Sequence, residues 1–263
     1  MAFETIRSGA LEYRASTVLS GAPHAFTTRL GGVSEGYLAS LNLGPARGDR
    51  PENVVENYRI LGRALGFSPE NTVFTRQLHT DLVRRVNVSD CGAGLLRPCD
   101  YVADAIISDT PGVTLVCFAA DCTPILLYDP VKHAAAAIHA GWRGTAMGIA
   151  AKAVESMTRE FHSDPADIRA AIGPCISRCC FEVGSEVPQA MRDALGPDAE
   201  AAIEARGEKF HVDLKLLNRL WLSRAGVGQI DVSEECTRCR PDLFWSYRAV
   251  GNRRGSQAAL ISL

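Results

Sequence analysis

The 263-residue chain is 46% hydrophobic and 22% charged, an ordinary balance for a soluble globular enzyme. A formal net charge of −2 gives no electrostatic reason to expect a nucleic-acid or anionic-membrane partner, and no apolar run approaches the ~18 residues of a membrane span. The N-terminal stretch carries early acidic residues and no apolar centre, so it does not read as an export signal; nine irregularly spaced cysteines then read as reduced thiols, with a cytoplasmic location expected.

In chain order, the first predicted helix begins near Asp49, with Pro51 in its first turn and Glu52 three residues on. It places Val54, Tyr58, Leu61 and Leu65 on one face and stops at Gly66. Strands are predicted around 73–75, 83–88, 104–108, 113–118, 125–128 and 134–138. A second helix follows the HAGWRG loop with Met147, Ala151, Val154, Met157 and Phe161 as its buried stripe. After a strand at 168–172, a third helix uses Val187, Met191 and Leu195 and ends at Gly196-Pro197; a fourth uses Leu214, Leu217, Trp221 and Ala225 and closes at Gly226. Strands at 230–232 and 257–262 complete the chain. With no linker, repeat or low-complexity tract, a single domain over 1–263 is expected. Several strands follow one another directly, which predicts α+β with mixed sheets rather than a doubly wound parallel sheet.

The chemistry concentrates where β-prone runs break into small or polar residues. Cys122 follows the strand ending near Phe118, and His139 lies 17 residues on, at the exit of the next strand and before Gly141 and Gly144. A thiol and an imidazole presented in this way suit either a Cys–His nucleophile pair or part of a metal site. His79, in QLHTDLV, occupies another such break. His79, Cys122 and His139 together make a His₂Cys set with an open fourth position, as catalytic zinc prefers; the same set describes a type 1 copper site, so ligand type alone does not select the metal.

Other motifs carry less. No Gly-Lys dipeptide occurs, which excludes a P-loop. Gly32-Val33-Ser34-Glu35-Gly36 satisfies G-x-S-x-G but is followed by a loop-like stretch instead of a helix, against a nucleophile elbow. None of the six histidines opens an H-x-E motif and no Pro-Cys-x-x-Cys occurs, so the usual zinc-deaminase signature is missing; a multicopper oxidase would need more imidazoles, in H-x-H pairs. Cys175, Cys179 and Cys180 with Cys236 and Cys239 give C-x₃-C and C-x₂-C spacings acceptable for a structural zinc. Two full helices intervene, however, and buried free thiols are the simpler reading for all five.

The strings FTTRLGGVSEGYLASLNLG (26–44), QLHTDLV, ADAIISDTPGVTLVCFAADCTPILLYDP (103–130), AAIHAGWRGTAMGI, AAIGPCISRCCFEVGSEV (170–187), VDLKLLNRLWL and CTRCRPDLFWSYRAVG (236–251) resemble the YfiH or laccase-domain family, in that family's order and over nearly the whole chain. The resemblance implies one α+β domain of two packed mixed β-sheets flanked by helices, distantly similar to cysteine deamidase toxins. It implies a zinc-dependent purine nucleoside phosphorylase that cleaves adenosine, inosine, guanosine and S-methyl-5′-thioadenosine with phosphate and also deaminates adenosine. Its metal ligands fall on His79, Cys122 and His139. The partners it implies are purine nucleosides and phosphate, for a monomer or homodimer without nucleic acid or membrane.

Within the matching strings, Arg29, Arg143 and Arg248 are candidate phosphate or ribose contacts, Asn42 and Gln77 candidate sugar or base contacts, and Asp121 a general base or a carboxylate supporting the metal. For these polar residues, structural roles in loop pinning are the competing reading. The chain departs from the family pattern at Thr80, at Phe181, and at Arg254-Gly255-Ser256, where Thr-Gly-Arg is common; the last change removes or relocates a cation. Two further functions stay open: a metal-free Cys–His amidase acting on a cell-wall precursor such as a muropeptide nucleotide, with Cys122 as nucleophile and His139 as base, and a Cu²⁺-dependent polyphenol oxidase. His79 discriminates, since a zinc needs a second imidazole at the sulfur and a Cys–His–carboxylate triad does not.

Overall fold

The computed structural model describes residues 2–263. Its strands, in chain order, are β1 (Phe3–Ser8), β2 (Leu11–Ser16), β3 (His24–Thr27), β4 (Thr72–Val73), β5 (Val83–Arg85), β6 (Ala105–Ser108), β7 (Thr114–Ala119), β8 (Thr123–Asp129), β9 (Ala134–Ala140), β10 (Arg169–Ile172), β11 (Glu182–Val183), β12 (Ile203–Arg206), β13 (Lys209–Val212), β14 (Gln229–Val232) and β15 (Gln257–Ser262). The helices are α1 (Pro51–Leu65), α2 (Trp142–Ala146), α3 (Ile149–Phe161), α4 (Glu186–Leu195), α5 (Leu214–Arg224) and α6 (Tyr247–Val250).

β8 and β9 are buried at every position because they are inner strands of a sheet covered on both faces, which is why their sequences run apolar without alternation. That sheet has the order β14-β10-β8-β9-β6-β5, and a second has the order β1-β2-β3-β15-β7-β4. Both are mixed: β10 and β14, β5 and β6, and β4 and β7 pair in parallel, the rest antiparallel. The two sheets pack face to face, with Ile106, Leu126, Ala135 and Ala137 of one against Phe26, Leu115, Cys117 and Ile261 of the other. On the outer face of the first sheet, Ile107, Ile125, Leu127 and Ile138 pack on Ile149, Ala153, Val154 and Met157 of α3 and on Leu222 of α5. On the outer face of the second, Val54, Tyr58 and Leu61 of α1 cover Ala25, Val116 and Leu260. The architecture is the expected α+β arrangement of two mixed sheets flanked by helices.

Several local expectations change. β1, β2 and β3 were not predicted: FETIRS and LEYRAS alternate weakly and carry charge, and β3 is only four residues long. A small sheet, β11-β13-β12, was missed for the same reason. Helix α1 starts at Arg50 without a side-chain cap, because the Asp49 carboxylate is taken up by Ser34, Asn42, Asn53 and the Arg50 amide. Met147 is 39% exposed and not part of the α3 stripe; Gly148, at φ 75°, separates α2 from α3 just after it. Among the described residues, no helix is long and apolar enough to cross a membrane.

Candidate metal centre

Strand register builds the site. Pro124 pairs with His139 across β8 and β9, so Cys122, which precedes β8, is delivered beside the end of β9. Ala105 pairs with Ile138 across β6 and β9, and the His139 amide donates to the Asp104 carbonyl at 2.7 Å, which brings Asp104 to the same end. His139 is therefore the penultimate residue of a strand and not a loop residue, and the segment after it is helix α2.

The third residue, His79, is held by Asp104. The carboxylate accepts hydrogen bonds from the amides of Leu78 (3.2 Å), His79 (3.0 Å) and Thr80 (2.7 Å) and from the Thr80 hydroxyl (2.7 Å), fixing a turn in which His79 has φ 61°. The same carboxylate lies 2.8 Å from Nδ1 of His139, which turns the other ring nitrogen towards Cys122. Burial alone would raise the Asp104 pKa, but the His139 and Thr80 hydrogen bonds outweigh it and hold the carboxyl at about 2. Burial likewise opposes a charge on His139, yet the facing Cys122 sulfur and Asp104 push it up to about 9. His79 is lowered, first by burial and then by the neighbouring His139.

One ligand atom each from His79, Cys122 and His139 lies within 4.8 Å of the others, the two imidazoles edge to face with ring centres 4.8 Å apart. The backbone leaves room for this grouping at Gly141: a Cβ there would stand 2.4 Å from His79 Nδ1 and 3.3 Å from Cys122 Sγ. Two nitrogens and one sulfur, one imidazole backed by a carboxylate, fit a single borderline-soft divalent ion with an open position. The other histidines do not extend the set. His24 is engaged between the Ser16 amide and the Ala22 carbonyl, and His211 at the Arg178 carbonyl.

Residues 23–263 match the family model described as multi-copper polyphenol oxidoreductase laccase. The chain is 41% identical over 242 residues to a purine nucleoside phosphorylase of Deinococcus radiodurans, covering 92% of this chain and 89% of that protein. It is 39% identical over 247 residues to purine nucleoside phosphorylase YlmD of Geobacillus stearothermophilus, covering 92% and 90%. The crystal structure of the Bacillus licheniformis protein YfiH superposes with a TM-score of 0.93 at 33% identity, over 99% of this chain and 98% of that one. The chain belongs to the laccase-domain, or YfiH, family.

In this laccase-domain protein two clefts meet at the His–Cys–His group. One, of about 450 Å³, is lined by Phe74, Gln77, Phe118, Arg47 and Arg254; the other, of about 520 Å³, by Trp142, Arg143, Phe181, Tyr247, Arg248 and again Arg254. His79 and Cys122 border both. Gln77 is held by both its amide atoms to the Phe118 backbone, at 2.9 and 2.7 Å. Arg143 is exposed, with its guanidinium over the Trp142 ring. Arg248 donates to the Glu182 carbonyl at 2.9 Å.

Three of the sequence candidates are occupied elsewhere. Arg29 stacks on Trp245 and donates to the carbonyls of Ala39 and Pro241. Asn42 is fully buried and braces Gly44, Asp49 and Ser256. Asp121, at φ 88°, accepts from Thr237 (2.6 Å), Ser246 (3.0 Å) and the Arg248 amide (2.7 Å), so both its oxygens hold the C-terminal segment against the site. Ser34, of the G-x-S-x-G string, bonds Asp49 and Asn57.

Sequence reasoning missed Asp104 and the position of Arg254. Asp104 gave no signal beyond an acid at a predicted strand start. Arg254 had one: it opens the tripeptide that departs from the family pattern. It is 8% exposed and hydrogen-bonds only neutral groups, the Gly255 carbonyl (2.9 Å) and the Ser256 hydroxyl (3.5 Å), and its Nε has no partner among the described residues. Burial, then the charge of Arg47, lowers its pKa to about 10.

Proposed function

We propose that the chain is a purine nucleoside phosphorylase acting on adenosine, inosine, guanosine and S-methyl-5′-thioadenosine, with an accompanying adenosine deaminase activity, at a zinc held by His79, Cys122 and His139. The observation that carries the reading is the junction of the two clefts at that donor set, with Arg254, a buried guanidinium lacking an anionic hydrogen-bond partner, bordering both. The relatives named purine nucleoside phosphorylase support the reaction class. Zinc, when bound, supplies Lewis-acid polarisation of a substrate atom at neutral pH.

The residues divide the remaining work. Arg254, with Arg47 on one side and Arg143 on the other, receives phosphate, since guanidinium groups match its oxygens and their charge is already desolvated. The aromatic walls, Phe74 and Phe118 in one cleft and Trp142, Phe181 and Tyr247 in the other, offer faces to a purine. In phosphorolysis the C1′–N9 bond breaks, a phosphate oxygen bonds to C1′, and the proton of hydrogen phosphate ends on the base. Asp104 keeps His139 and the His79 turn in place throughout.

Inosine with phosphate is expected to give hypoxanthine and ribose 1-phosphate, with no base release when phosphate is omitted; adenosine deamination is expected to persist without it. Alanine at His79, Cys122 or His139 is expected to remove the metal from this site and both activities while the protein stays folded. Metal analysis of untagged protein decides between zinc and copper.

A second reading has one observation in its favour: Cys122, His139 and Asp104 stand in series, as in a thiol hydrolase. An amidase on a cell-wall precursor would keep its activity after complete metal removal and would not need His79. Base release that depends on the metal and on His79 counts against it.

A further inference from the structure

Four cysteines outside this site converge. The segment 175–181 leaves the sheet after β10, and the turn 236–239 runs beside it, joined to it by a bridge between Cys175 and Cys236. The bridge brings Cys179 and Cys180 against Cys236 and Cys239, whose sulfurs all lie within 4.8 Å of one another. Cys175, which the sequence spacing grouped with them, is fully buried and stays outside the cluster; its place is taken by Cys180, the vicinal neighbour of Cys179. Two of the four, Cys179 and Cys239, are exposed, so the expectation of buried free thiols fails for them.

The sulfur separations are 3.7 Å for Cys179–Cys180, 3.7 Å for Cys179–Cys239 and 3.4 Å for Cys180–Cys239. A tetrahedron of sulfurs about zinc, at ~2.3 Å from the metal, has edges of about 3.8 Å. A disulfide requires ~2.05 Å and would use only two of the four. Two donors face the cluster: the Ser177 amide donates to Cys236 Sγ at 3.3 Å, and Arg238 reaches Cys180 Sγ at 3.8 Å. Cationic and N–H groups around sulfur are what a metal tetrathiolate, with its net negative charge, needs.

We infer that Cys179, Cys180, Cys236 and Cys239 form a second, structural zinc site of the closed four-sulfur type. Binding takes one Zn²⁺ and releases the four thiol protons to solvent. With no open position the site does no chemistry on a substrate. Its role is to clip the 175–181 segment to the turn that leads into the C-terminal wall of the clefts. Thr237, inside the clip, holds Asp121, and Arg248 bonds the carbonyls of Cys180 (3.4 Å) and Glu182, so the clip fixes the wall that carries Phe181 and Arg248.

The test separates this site from the proposed catalytic one. Untagged protein carrying His79→Ala, Cys122→Ala and His139→Ala, purified with zinc and then desalted, is expected to retain one zinc per chain, with X-ray absorption showing only sulfur neighbours at about 2.3 Å. Adding Cys179→Ser and Cys239→Ser is expected to remove it. In the otherwise unchanged chain the same two serines are expected to lower the zinc count by one and leave zinc at the His–Cys–His site. If the triple-alanine protein is zinc-free with all thiols alkylatable, or holds a Cys180–Cys239 disulfide instead of metal, the inference is overturned. A failure of the phosphorylase reading would leave these zinc counts untouched.

Discussion

Asp104 is the residue on which the metal centre turns, because one buried carboxylate orients an imidazole and pins the turn that carries another. Replacing it with Asn keeps the shape but loses the charge, and puts an NH₂ where two or more donors converge. Asp104→Asn is expected to weaken metal binding about 10- to 100-fold, read by chelator competition, and to lower stability by about 2–3 kcal/mol, read by denaturant unfolding. Arg254 acts on the other reactant. Arg254→Ala is expected to lower phosphorolysis roughly 10- to 150-fold through a raised KM for phosphate, the loss of a charge-assisted contact worth about 1.5–3 kcal/mol. Arg143→Ala is expected to follow the same pattern more weakly, since Arg143 is exposed and stacked on Trp142. Deamination of adenosine should fall much less in both; equal loss of the two activities would remove the phosphate role from the residue concerned.

At the scale of elements, the site depends on a strand passing into a helix with almost no connection between them. β9 ends at Ala140 and α2 begins at Trp142, which leaves Gly141 as the only joint. Its φ of −68° is open to any residue, so the requirement for glycine comes from space and not from backbone strain. Gly141→Ala is expected to displace His79 and cut metal affinity at least about ten-fold, while circular dichroism and melting stay near those of the parent. The elements that position the site were largely legible in sequence. β7, β8 and β9 are apolar runs; Cys122 stands in the break between the first two and His139 near the end of the third. What escaped was information that lies in pairing. Asp104 acquires its role through the β6–β9 register and through a turn 25 residues away in sequence, and local pattern does not encode register between distant strands. The cysteine cluster escaped for a related reason: C-x₃-C spacing pointed to Cys175, but beside the parallel bridge to Cys236 that side chain is buried away from the group, and half-buried Cys180 joins it in its stead.

Across the whole molecule the two sheets are closed at one edge by charge as well as by apolar packing. Arg14 of β2, in one sheet, bonds Glu12 at 2.8 Å and Glu235 at 2.7 and 2.8 Å, the latter just past β14 of the other sheet; Ser16 reaches Asp231 of β14 at 2.6 Å. The Arg14 side chain is 7% exposed and that of Glu12 10%, so removing the arginine leaves Glu235 without this partner and Glu12 with Arg7 alone, where water cannot fully compensate. Arg14→Met, which keeps the apolar stem, is expected to destabilise the protein by about 2–4 kcal/mol near neutral pH. The pH dependence follows from Glu12. Its hydrogen bond to Arg14 outweighs burial and holds its pKa below the ordinary 4.5, so it contributes stability above that value, lost as pH falls through 4.5 towards its folded pKa. Without Arg14, the Arg7 hydrogen bond to Glu12 is left to oppose burial, so the carboxyl loses most of its downward shift and with it most of that pH-dependent contribution. The gap in melting temperature between parent and Arg14→Met should therefore be widest near neutral pH and narrow as pH falls below the ordinary carboxyl value of 4.5. A gap that stays constant over that range would show that Arg14 stabilises the seam through the packing of its stem and not through its carboxylates.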